Sequence, residues 1–263
     1  MKKYCYLFKV SIEKTFKELL RYKFNSISNI LLLYVVFMAM FLGVKSFGLD
    51  MGISPIDMGD TLEGFVIGYF LWSIMMMSYE GIAYGIINDA SRGTLEQLNM
   101  SGIKLSTIVI LRSISELLTD LIISFILLFI IMITTKYRLQ ISLISIIFPI
   151  FLGVFSILGI GLICGGLALI FKKIQSLLSI IQYFLIAFIM INPNNKIIYN
   201  LIPFRPAADL VFQSMRDGIS LTEYSFSNYG ILIGNSLLYF IIGLMIFDKC
   251  VNIAKSKGIL GQY

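Results

Sequence analysis

Six stretches of this chain are each close to twenty residues long or longer and nearly free of charge. That is the length at which a helix rising about 1.5 Å per residue crosses a ~30 Å hydrocarbon core. They cover residues 28–47, 62–83, 113–135, 141–171, 174–191 and 229–247. Ordinary soluble domains carry about a quarter charged residues. This chain is 58% hydrophobic and 14% charged, with a mean hydropathy of +0.89, which excludes a soluble enzyme. The 263 residues therefore read as a single domain, 1–263, all-α and integral to a membrane, with six transmembrane helices. The run at 141–171 is too long for one upright helix and holds Pro149 and five glycines (Gly153, Gly159, Gly161, Gly165 and Gly166), so a kink or a split is expected there.

An even number of spans puts both termini on one side, and the distribution of Lys and Arg selects it. The segment before the first span holds Lys2, Lys3, Lys9, Lys14, Lys17, Arg21 and Lys23. The later loops of that face add Arg92, Lys104, Arg112, Lys172 and Lys173, and the tail adds Lys249, Lys255 and Lys257, fifteen in all. The opposite face receives six, Lys45, Lys136, Arg138, Lys196, Arg205 and Arg216, with Asp50, Asp57, Asp60 and Glu63 crowding its first loop. Both termini are expected in the cytoplasm. Within residues 1–25, Tyr4, Phe8, Ile12, Phe16, Leu19 and Leu20 recur at helical spacing opposite Lys9, Glu13, Lys14, Lys17, Glu18 and Arg21, the pattern of an amphipathic helix lying on the inner leaflet. The basic part is too long for a signal peptide and no cleavage site is expected.

The chain has no histidine, and Cys5, Cys164 and Cys250 lie far apart. A zinc site, a haem anchor and a histidine-based triad are excluded on residue inventory. GxxxxGK[ST], GxSxG and HExxH are absent as well, so ATP energy has to reach the chain through a partner. No cofactor or metal is expected on the chain itself. A net charge of +6 suits an anionic leaflet, and the polar stretches are too short for a nucleic-acid module.

The polar connection 88–103 is the most informative. Gly93 relaxes the backbone between two helical pieces, Thr94 has Gln97 three residues on as a capping-box partner, and Leu95 and Leu98 form an apolar stripe beside Glu96. A short capped amphipathic helix in a membrane loop is a docking element. The run Arg92-Gly93-Thr94-Leu95-Glu96-Gln97-Leu98 resembles the signature of ABC-2 type ABC-transporter permeases, preceded here by Asp89-Ala90-Ser91 where family members carry an acidic-basic alternation. The tail from Ala254 to Tyr263 resembles the Ala, basic, Gly, Leu, Tyr ending of the drug-exporter branch. Leu201-Ile202-Pro203-Phe204-Arg205-Pro206 followed by Asp209, within 192–228, resembles that branch's exofacial connection between the fifth and sixth spans. The resemblance implies an ABC-2 type exporter fold in a bacterial cell membrane, with Arg92 to Leu98 close to a separate ATPase subunit. It also implies ATP and magnesium on that subunit, and a second permease as homodimer or homologous heterodimer.

Charged side chains in or beside the spans are functional candidates by default. Glu80 lies near the inner end of the second span, and Arg112, Glu116 and Asp120, spaced four apart on one helix face, can pair with each other. They either brace the second and third spans above the docking helix or line the substrate path. Glycine pairs at Gly64/Gly68, Gly81/Gly85 and Gly161/Gly165 point to close helix packing within the protomer, and thirteen methionines supply adaptable apolar surface. Small exofacial loops and apolar, Met-rich spans fit an amphipathic or lipid-like substrate, a drug or an antimicrobial peptide. A polysaccharide or teichoic-acid precursor is the alternative within the family. A secondary transporter or channel is the alternative outside it, for which ionisable residues at mid-membrane and an inverted repeat are the expected signs.

Overall fold

The computed structural model describes residues 2–50, 55–171 and 174–258, with side chains over 3–46, 61–171 and 174–258. The side chains of Asp50, Asp57 and Asp60, the Lys172-Lys173 loop and the last five residues of the tail lie outside them. The described residues form ten α-helices: α1 (Lys2–Arg21), α2 (Lys23–Asp50), α3 (Pro55–Ser91), α4 (Thr94–Met100), α5 (Leu105–Thr135), α6 (Leu143–Phe171), α7 (Gln175–Met190), α8 (Lys196–Leu201), α9 (Arg205–Asp217) and α10 (Phe226–Ser256).

Five of these contain apolar stretches long enough to cross a membrane: Lys23–Ser46, Thr61–Ser91, Leu105–Thr135, Leu143–Phe171 and Phe226–Ser256. The remaining expected span, α7, has 16 residues, about 24 Å of helix, short of the hydrocarbon thickness. Long helices overrun their apolar runs because nothing in the flanking polar sequence stops them. Thus α3 begins at Pro55, so Asp57, Asp60 and Glu63 fall in a helix rather than in the loop expected for them. The fourth run is not split. Pro149 sits inside α6, which continues from Leu143 to Phe171.

The core is organised around α6, which packs against α10, α3 and α9. Glycines explain how closely. A Cβ on Gly243 would strike the backbone of Gly159, and one on Gly159 would strike the Tyr239 carbonyl, so α6 and α10 cross backbone to backbone. On the α3 side of α6, Gly161 receives Ile82 and Gly165 receives Ile86. Without a hydrophobic drive between helices in lipid, such close approach supplies the dispersion that holds spans together. The expected glycine pair at 161 and 165 is thus an intramolecular contact, whereas a Cβ on Gly64 would meet nothing within 4 Å.

Helix α2 leans on α3 through Phe37, Phe41, Phe65 and Tyr69, whose rings approach at centroid distances of 5.1 to 6.4 Å. The Tyr69 hydroxyl donates to the Leu33 carbonyl at 2.6 Å. The rest of α2 presents Leu31, Leu32, Val35 and Leu42 outward. Helix α1 packs on α5. Its inward side is Leu7, Phe8, Ser11, Ile12, Thr15 and Leu19, whereas Tyr4, Phe16 and Leu20 face out, so the expected apolar stripe is divided between the chain and its surroundings. On the outer side of α1 the Lys17 ammonium donates to Glu13 at 2.6 Å and holds that carboxyl below its ordinary value.

The two kinds of glycine predict opposite outcomes. Gly243→Ala forces backbones apart and should destabilise by about 1 to 3 kcal/mol, the usual range for overpacking, lowering the thermal midpoint of the chain in lipid nanodiscs. Gly64→Ala should leave that midpoint within a degree or two.

Candidate functional site

A polar seam runs between α3 and α5 toward the end of the bundle that holds α4. On α3, Ser73, Met77, Gly81, Gly85 and Asp89 are spaced four apart and so share one face. On antiparallel α5, Arg112, Glu116, Asp120 and Ser124 do the same. The two faces meet in register. Arg112 Nη1 donates to Asp89 Oδ2 at 2.6 Å, Glu116 lies 3.9 Å from Arg112 Nε, and the Ser124 hydroxyl meets Met77 and Ser73. Glycine makes room for the charged pair. A Cβ at Gly85 would stand 2.7 Å from Arg112 Nη2, and one at Gly81 would stand 2.7 Å from Glu116 Oε2.

The side-chain hydrogen bond to Asp89 makes it the closer partner of Arg112, ahead of Glu116. Sequence spacing favours the i,i+4 pair and does not register a contact between two helices. Asp120 lies on the same face of α5 and makes no hydrogen bond or ion pair in the described residues. Glu80 stands apart. Nine residues separate it from Asp89, which at 100° per residue is half a turn, so Glu80 faces α7 instead and accepts a hydrogen bond from Gln182 Nε2 at 2.6 Å. Of the four residues expected to form one cluster, Arg112, Glu116 and Asp120 lie on the α3–α5 seam, and Glu80 hydrogen-bonds toward α7 while staying close enough to Asp120 for the two carboxyls to interact.

The segment from Arg92 to Leu98 caps the seam. Gly93 takes φ +69°, a left-handed conformation that glycine adopts without steric cost, and turns the chain from α3 into α4. Thr94 is therefore the first residue of α4 and not its cap, and no capping box with Gln97 forms. Its hydroxyl instead donates to the Asp89 carbonyl at 3.0 Å. Leu95 is 1% exposed and belongs to the chain's own core. Leu98 is half-buried against that core, and Arg92, Glu96 and Gln97 point outward. Behind α4, Lys3 Nζ donates to the Ser101 carbonyl at 3.0 Å and ties α1 to the turn before α5. Thr94 thus joins α4 to Asp89, and the Asp89 carboxylate joins α3 to Arg112 on α5.

The opposite end carries a second tie, which sequence alone left as a connection. Arg205 donates to the Ile189 carbonyl in the last turn of α7. It also pairs with Asp209 at 3.2 Å and lies 4.6 Å from the centre of the Tyr199 ring. The Tyr199 hydroxyl donates to Asp209 at 2.7 Å. Burial pushes the Asp209 carboxyl above its ordinary value, against the pull of Tyr199 and Arg205. Helix α9 is a true helix here because Pro206 opens it and Gly218 closes it in the left-handed conformation. Those signals were present in the sequence. Phe204, buried with φ +65°, holds its strained backbone by packing on Gly153 of α6.

On the flank formed by α2, α3, α7 and α9 lies an apolar groove of about 450 Å³, lined by Met40, Val44, Thr61, Gly64, Phe65, Gly68, Tyr69, Ile186, Ile189, Met190 and Phe212. A smaller cavity of about 170 Å³ lies on the α2, α3 and α7 side nearer α4, where Asn29, Glu80, Gln182 and Tyr183 contribute polar groups.

Residues 58–245, more than two-thirds of the chain, match the family described as ABC-2 family transporter protein. A search of curated proteins finds no match.

Asp89→Ala strips Arg112 of its hydrogen-bonded partner and leaves only Glu116 at 3.9 Å as counter-charge, which should cost about 1.5 to 3 kcal/mol. Glu116→Gln keeps a polar group at 3.9 Å and should cost under about 1 kcal/mol. Thermal unfolding of both variants in nanodiscs gives the order, and equal losses would place the weight of the seam elsewhere.

Proposed function

This chain belongs to the ABC-2 family of transporters and is a multi-pass membrane permease of an ABC transporter, and from that premise we propose that it exports an amphipathic or lipid-like molecule. A separate ATPase subunit supplies the energy. In this reading two permeases stand together, as a homodimer or with a homologue, and α7 completes six spans as the short fifth one. Helix α1 lies along the inner leaflet, and the α4 end faces the cytoplasm of a bacterial cell, as the fifteen-to-six distribution of Lys and Arg favours.

The observation that carries the substrate class is the apolar groove between α2, α3, α7 and α9. A polysaccharide precursor needs hydroxyl-binding side chains along its path, and the lining of this groove is aliphatic and aromatic apart from Thr61 and the Tyr69 hydroxyl, which is already bonded to Leu33. An alkyl or peptide-like apolar body gains on the order of 25 cal/mol for each Å² of surface it buries there. For energy input, Arg92, Glu96 and Gln97 are the exposed residues of the Arg92 to Leu98 segment and form its contact surface for the ATPase. Leu95 acts beneath them, anchoring α4 to the core so that the segment moves as part of α3 and α5.

The test is reconstitution with a partner ATPase subunit. Glu96→Arg with Gln97→Arg should leave expression and thermal midpoint unchanged while lowering transport-linked ATP hydrolysis at least tenfold, because charge is reversed on an exposed surface outside the core. Leu95→Asp, by contrast, should unfold the α4 region. Full hydrolysis and transport by the Glu96/Gln97 variant would remove α4 from the coupling path. Accumulation of substrate on the side of the ATPase would reverse the direction.

A further inference from the structure

Glu80 differs from the other carboxylates that the bundle pairs. Asp89 has Arg112 and Asp209 has Arg205, whereas no Lys or Arg of the described residues forms an ion pair with Glu80, and none lines the cavity it faces. A carboxylate in a membrane-spanning helix is costly unless a counter-charge or hydrogen bonds compensate it. Gln182 supplies one hydrogen bond to Oε1. The cavity beside it, about 170 Å³, also receives Asn29 and Tyr183, so a carboxylate, two carboxamides and a phenol are gathered around one space. Glu80 lies eleven residues before the end of α3 at Ser91, about 16 Å along the axis. A 31-residue apolar stretch, about 46 Å of helix, overruns a ~30 Å core by about 8 Å at each end when centred, which puts Glu80 on the α4 side of the bilayer centre.

Along the same helix, Gly68 in the apolar groove is twelve residues from Glu80, about 18 Å. Trp72 lies between them and is the chain's single tryptophan.

We propose that Glu80 and Gln182 bind the primary ammonium of an amphiphile whose apolar body extends along α3 past Trp72 toward the groove at Gly68. A primary ammonium has three donors, and Glu80, the Gln182 side-chain oxygen, Asn29 and Tyr183 are the acceptors at hand. A quaternary ammonium is instead recognised by a cage of aromatic faces, and Tyr183 is the one aromatic residue lining this cavity. The inference rests on the export reading for its use. Binding is measured here without transport, so the two fail separately: transport without amine binding ends this proposal, and amine binding without export ends the other.

The probe is 11-bromoundecylamine, whose terminal bromine, about 14 Å from its nitrogen, reaches Trp72 when the ammonium sits at Glu80, about 12 Å away along α3. The full chain in phosphatidylcholine nanodiscs with a tryptophan-free scaffold should show saturable quenching of Trp72, with an affinity at least tenfold tighter than for 11-bromoundecan-1-ol. Glu80→Gln should bring the amine to the level of the alcohol and leave the alcohol unchanged. Adding phosphatidylethanolamine either competes, which places the ammonium on a lipid, or leaves the affinity alone, which places it on a smaller amphiphile; both support the site. Equal affinity of the unmodified chain for amine and alcohol overturns the proposal without need of any variant. Unaltered amine binding by Glu80→Gln overturns it as well.

Discussion

Arg112 lies over Gly85 and reaches across from α5 to the Asp89 carboxylate. Three parts of the chain depend on that contact. Asp89 is near the last turn of α3, so the pair fixes the end of the helix that packs against α5, α6 and α7. Its carbonyl takes the Thr94 hydroxyl, so the pair also sets where α4 begins. Arg112 stands two turns into α5, and the position of the pair thereby sets how α5 enters the bundle. A charge-assisted hydrogen bond at the edge of a low-dielectric region is stronger and more directional than the dispersion contacts around it, which is why a short polar contact can orient long apolar helices.

The remainder of the bundle is held by shape. Small residues at Gly159, Gly161, Gly165 and Gly243 let α6 approach α10 and α3 closely. The Arg205, Asp209 and Tyr199 group ties α9 and α8 to the last turn of α7 at the other end. Helices α2 and α7 are joined to the rest mainly through α3, and both the groove and the Glu80 cavity open among these three helices. The lightly held elements are thus the ones that border the proposed substrate sites, while the proposed input segment is fastened to α3 and α5. Motion at α4 has a short path to α3, and α3 is the wall shared by both cavities.

Much of this was legible in the sequence. Apolar run lengths located the long helices, and four-residue spacing placed Arg112, Glu116 and Asp120 on one face. Partners across helices were not legible. Asp89 is 23 residues from Arg112 in the chain, and no local period connects them. The separation of Glu80 from that seam follows from the half-turn between positions 80 and 89, but which neighbour each face meets required the packing itself. Gly93 misled for a local reason: its left-handed turn starts α4 one residue earlier than a Thr cap would, which frees Thr94 for Asp89. Leu95 and Leu98 form an apolar stripe on a short polar helix, and such a stripe reads equally as a partner surface or as an anchor to the chain's own core. The structure makes Leu95 the anchor.

The central claim is that α4 communicates with the membrane helices through the Asp89–Arg112 contact, and exchanging the two charges tests it most directly. In the complex with its ATPase, Asp89→Arg and Arg112→Asp should each uncouple ATP hydrolysis from substrate, and the double exchange should recover a substantial part of the coupling, with the ATPase bound throughout. Single variants that remain folded and hydrolyse ATP in full response to substrate would contradict it.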